Sequence, residues 1–96
     1  MIRENSEYKL LRFEKAKSPK KYNAVLLNKK TGREKRVPFG SAVHEQYRDD
    51  SGLGLWSHKN HLDKERRRLY RLRHAGEGDS ENFPNAGYWA WWILWP

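Results

Sequence analysis

The chain has 96 residues, 36% of them hydrophobic and 33% charged, with a formal net charge of +8, which describes one small domain with a thin apolar supply. It has no cysteine, which excludes disulfides, thiolate metal sites and a thiol nucleophile. No apolar run approaches the roughly 20 residues a bilayer needs, and Met1–Asn5 has no apolar h-region, so neither a membrane span nor a secretory leader is expected.

Glu7 to Phe13 suits a first strand, taken over about 8–13, inside an N-terminal arm of residues 1–19. A lysine-rich link from Lys15 to Lys21 follows, broken by Pro19. Residues 21–28 and 33–39 flank the turn Lys29-Lys30-Thr31-Gly32 and form a β-hairpin. Apolar side chains fall on both parities of 22–27, so that strand is covered on both faces over part of its length. Pro38 places the next strand at an edge. Ser41 is positioned to cap a short helix to about Tyr47 or Arg48. Asp49 to Gly54 is loop by composition, with Leu55 and Trp56 as an anchor within it.

Residues 62–74 form the clearest helix, with acids in its first turn, bases in its last and Gly76 to end it. At 100° per residue, Leu62, Leu69 and Leu72 share one face. Lys64, Arg67, Arg68 and Arg71 share the opposite one and are expected to face solvent. Arg66 and Arg73 project from the leucine side, so both are expected in structural salt bridges, with Glu45, Asp49 and Asp50 as candidate acids. After an acidic stretch from Gly76 to Asn82, an aromatic helix over about 85–94 closes the chain, with extended structure as the alternative. The expected fold is α+β, a small sheet with two helices, in a single domain over 1–96.

Catalytic chemistry finds little support. His58 and His61 are three apart, but neither a His-Glu-x-x-His nor a Cys/His spacing accompanies them. His44, His58 and His61 fit loop or cap roles, and His74 a helix C-terminus. The string His58-Lys59-Asn60-His61 lacks the wide spacing of histidine- and asparagine-containing nuclease motifs. There is no nucleophile elbow and no glycine-rich phosphate loop. The expectation is a non-enzymatic protein with no cofactor, no metal and no small-molecule substrate.

Binding is better supported. Four of the five tryptophans, Trp89, Trp91, Trp92 and Trp95, crowd the last residues and are candidate partner-binding groups, part internal and part interfacial. Residues 1–40 contain 12 Lys and Arg against 4 Asp and Glu, whereas residues 41–96 contain 8 of each. That asymmetry points to an acidic protein surface or nucleic acid, met by Lys20, Lys21, Lys29, Lys30, Arg33, Lys64, Arg67, Arg68 and Arg71. Arginine forks suit carboxylates and phosphates. No helix aims Asn, Gln and Arg at base edges, so any nucleic-acid binding is expected to be independent of sequence.

Several elements occur together in order: Lys20-Lys21-Tyr22-x-Ala24, Gly32-Arg33-x-Lys35-x-Val37-x-Phe39-Gly40, Tyr47 and Asp49. They continue with His61, Asp63-Lys64-x-Arg66-Arg67, Tyr70, Arg73-His74, Ala86-Gly87-Tyr88-Trp89 and Trp92-Ile93-Leu94-Trp95. The pattern, over roughly residues 20–95, resembles a family of small basic proteins of large double-stranded DNA viruses, the giant nucleocytoplasmic viruses in particular. The resemblance implies a minor, capsid-associated or internal virion protein, found in host cytoplasm or nucleus during assembly. It transfers no catalytic residue.

Overall fold

The computed structural model describes residues 3–96. Three antiparallel strands, β1 (Tyr8–Lys15), β2 (Lys20–Asn28) and β3 (Glu34–Ser41), form a sheet in the order β1-β2-β3. The fold is a small α+β unit, as the sequence pattern implies. The first strand, expected over about 8–13, spans Tyr8–Lys15 and ties that part of the N-terminal segment into the sheet through its pairing with β2.

β2 is central, and Ala24, Val25 and Leu26 are all fully buried. A bulge between Leu10 and Arg12 shifts the β1 register. Leu10 then pairs with Leu26 and Phe13 with Ala24, so both reach the core although they are three residues apart. Pro38 lies on β3, an edge strand that needs no donor on its open side. At the β2–β3 turn, Asn28 Oδ1 accepts from Lys30 N and Thr31 N, and Gly32 takes φ +70°.

Opposite the core, Val25 lies between its register partners Arg12 and Arg36. These arginines and Glu14 and Glu34 close a ring of ion pairs with N–O distances of 2.6 to 3.9 Å. The arginine stems cover Val25 while their heads stay in water.

A second layer comes from the C-terminus. Helix α1 (Lys64–Arg73) is capped by Asp63, whose carboxylate accepts from Glu65 N and Arg66 N. Helix α2 (Ala86–Trp89) runs directly into a π-helical stretch, Ala90–Leu94, so the aromatic segment is helical and not extended. Tyr88 and Ile93, and Trp89 and Leu94, are five residues apart, the hydrogen-bond spacing of a π-helix, whose wider turn brings such pairs nearer to one face than an α-helix does. The wider turn therefore lets all four buried side chains meet the sheet. Trp89 has Phe13, Phe83 and Tyr88 edge-to-face around it at 4.9 to 5.7 Å.

No helix forms over 41–48, a correction to the expected pattern. The backbone there follows Gln46 instead, whose side chain is fully buried. Gln46 Nε2 donates to Trp56 O at 2.6 Å and Asn60 Oδ1 at 2.8 Å, while its Oε1 accepts from Lys21 Nζ at 2.6 Å. Asn60 Oδ1 also accepts from Asp49 N, and Asp49 Oδ2 accepts from Tyr22 OH at 2.6 Å. This network ties residues 42–62 to the sheet end, and a helix over 41–48 would break it.

Candidate docking groove and basic surface

Side chains expected on one basic surface are dispersed by the fold. Antiparallel pairing puts the β1–β2 turn and the β2–β3 turn at opposite ends of the sheet. Lys29, Lys30 and Arg33 lie at one end, where Lys29 pairs with Glu4 at 2.7 Å. Lys20 lies at the other, in a shallow depression of about 570 Å³ that also takes in Lys15, Lys17 and Arg36.

Lys21 is a correction: it is 1% exposed and cannot meet an outside surface directly. Its ammonium donates to His44 O at 2.7 Å and Gln46 Oε1 at 2.6 Å, both neutral acceptors. Burial, with Lys59 nearby, pushes its pKa down to about 8. Burial works to raise the pKa of Asp49, but hydrogen bonds from Tyr22 and Ser51 outweigh it and hold the carboxyl below its ordinary value.

Helix α1 is turned the opposite way to its helical wheel. Arg67, Tyr70, Arg71 and His74 face the protein, while Leu62, Leu69 and Leu72 are 57%, 39% and 63% exposed. Arg71 donates through Nε and Nη2 to Trp95 O at 3.2 and 3.0 Å, and its guanidinium lies 4.8 Å from the Trp91 ring. Arg67 donates to Pro96 O at 3.2 Å and stacks 4.6 Å from Tyr47. The carbonyls at the end of the aromatic helix lack intrahelical partners and carry its negative dipole end. Two arginines satisfy both needs, which leucines do not. Burial beside Arg67 lowers the pKa of Arg71. Lys64 and Arg68 do face solvent, and Arg68 pairs with Glu65 on the same helix.

Rings extend this contact. His74, Tyr70, Trp95 and His61 form a column with centroid spacings of 4.2, 4.3 and 5.2 Å, Tyr70 and Trp95 being parallel within 1°. Trp92 donates its indole N–H to Gly78 O at 2.9 Å. Trp89, Trp91, Trp92 and Trp95, expected partly at an interface, are therefore each engaged within the chain.

Of the two expected structural salt bridges, Arg66 forms one, with Glu45 at 3.1 Å, although both side chains are largely exposed. Arg73 makes no ion pair among the described residues and so departs from expectation. Leu69, Arg66 and Arg73 instead border a groove of about 470 Å³ between α1 and the sheet end, with Lys21, Gly40 and Leu94 in its wall. Reading leucines as buried hid this groove. The arginine spacing Arg67/Arg71, set against a helix end rich in tryptophan, was the available signal.

Among the described residues, no three His, Cys, Asp or Glu side chains gather where they could hold a metal ion, and no helix is long and apolar enough to cross a membrane. Comparison with known protein families, curated proteins and solved structures finds no match.

Proposed function

We propose that this chain is a non-enzymatic docking module of a larger assembly, a minor particle protein of a large double-stranded DNA virus. It engages another protein subunit through the outward face of α1 and the adjoining groove. The observation that carries this reading is the orientation of α1, which leaves Leu69 and Leu72 exposed between Arg66 and Arg73. Apolar side chains ringed by arginine are typical of protein interfaces. The viral setting rests on the sequence resemblance alone.

A photo-crosslinking residue in place of Leu72, in the particles or cells that contain the protein, tests the proposal. The expected product is a discrete protein adduct that survives nuclease treatment. Absence of adducts from this position, with efficient cross-linking from Lys30, would place the interface elsewhere.

The second reading is sequence-independent nucleic-acid binding through the depression lined by Lys15, Lys17, Lys20 and Arg36. Its signature is an affinity that falls with salt at a log–log slope of about 0.9 per phosphate contact.

A further inference from the structure

The groove beside α1 has a composition that narrows its occupant. Its wall combines apolar surface from Leu69, Ala90 and Leu94 with the cations Lys21, Arg66 and Arg73. Glu45 is the one carboxylate lining it, and Arg66 already pairs with it at 3.1 Å. Lys21 and Arg73 are left with no carboxylate partner among the described residues. For Lys21 this matters most, because it is 1% exposed, its hydrogen bonds go only to neutral acceptors, and the attraction of Asp49 does not offset the cost of its burial.

We infer that this groove receives an acidic peptide segment of a partner protein, one that places an apolar side chain against Leu69 and Leu94 and a carboxylate before Arg73. The inference rests on the docking reading above and names the chemistry of its partner. Two observations favour a peptide over nucleic acid. The apolar wall contributed by Leu69, Ala90 and Leu94 offers nothing to a phosphodiester. The exposed lysines of the sheet turns, which suit phosphate, lie outside this groove. A carboxylate entering beside apolar surface would also act on Lys21 through a medium of low dielectric, where attraction is strong.

The test measures fluorescence polarisation with the full chain and four labelled probes. They are a short peptide alternating glutamate and leucine, polyglutamate, an uncharged leucine–serine peptide and a single-stranded oligonucleotide. The mixed peptide should bind most tightly. Arg73→Gln and Leu69→Ala should each weaken it by about tenfold, as expected for losing one charged or one apolar anchor. Lys30→Gln, at the far end of the sheet, should change nothing. Both groove side chains are exposed and unpaired, and thermal melts of the variants confirm that they fold. Undiminished binding by Arg73→Gln overturns the inference, as does no binding of the mixed peptide at low salt. Tighter oligonucleotide binding that Arg73→Gln abolishes also overturns it and assigns the groove to nucleic acid. Cross-links from position 72 that persist in Arg73→Gln sink the groove assignment and leave the docking reading standing. Groove binding of the peptide without any such cross-link does the reverse.

Discussion

Lys20 and Lys21 are neighbours of one chemical kind, yet only Lys20 stays in water. Lys21 has a folded pKa of about 8 against its ordinary 10.5. Between those values the unfolded chain holds a proton that the folded chain has lost, so stability rises with pH across that window. Below it both states are protonated and the folded protein bears the full cost of the buried charge. Tyr70, raised by burial from 10 to about 12, acts oppositely: the folded state keeps its proton longer, so stability falls again above pH 10. Lys21→Met should therefore flatten the rise in urea midpoint between about pH 8 and about pH 10. An unchanged slope would mean that Lys21 is hydrated. Gly40 is constrained twice, by φ +76° and by Leu94 Cδ1 lying 2.7 Å from where a Cβ would be. Gly40→Ala should cost about 2 kcal/mol or more in chemical denaturation. Leu62 has φ +55° and a side chain 57% exposed. Leu62→Gly should raise stability by about 0.5 kcal/mol, since the relief of strain exceeds the added chain entropy. A loss of that size would mean that the leucine packs.

Helix α1 illustrates what competes when an element docks. Its leucine stripe is the apolar face by any hydropathy scale, but the surface it meets is a helix C-terminus whose last carbonyls have no intrahelical partner, flanked by indole rings. Guanidinium groups match that surface in hydrogen bonding, charge and shape. It follows that Arg71→Ala, which frees Trp95 O and uncovers Trp91, should destabilise by about 1 kcal/mol more than Arg73→Ala. Arg73→Ala should lie within about 0.5 kcal/mol of the parent, as for other exposed unpaired positions. Equal melting shifts would contradict the orientation of α1. The Arg66–Glu45 pair is too exposed to alter this ranking.

For the molecule as a whole, the aromatic segment is the second half of the core. Tyr88, Trp89, Ile93 and Leu94 cover Tyr22, Ala24, Leu26, Val37 and Phe39, and burying each large side chain contributes roughly 2–3 kcal/mol. A domain of this size has little reserve. A chain ending at residue 87 should lack a cooperative melt by near-ultraviolet circular dichroism. A cooperative transition in that truncation would show that the sheet is stable alone. Strand parity, the glycine turn, the acidic start of α1 and the helical C-terminus were all legible in the sequence, because each depends on neighbours a few residues away. The burial of Lys21, the polar network about Gln46 that replaces a helix over 41–48, and the orientation of α1 were not. Each depends on a partner 20 or more residues away, such as Lys21 with Gln46 or Arg71 with Trp95, across separations of 25 and 24 positions. Local pattern ranks side chains by their affinity for water. Tertiary structure decides whether a polar group finds, at the far end of the chain, the acceptor that lets it leave water, and here that choice set which face of α1 stays open to a partner.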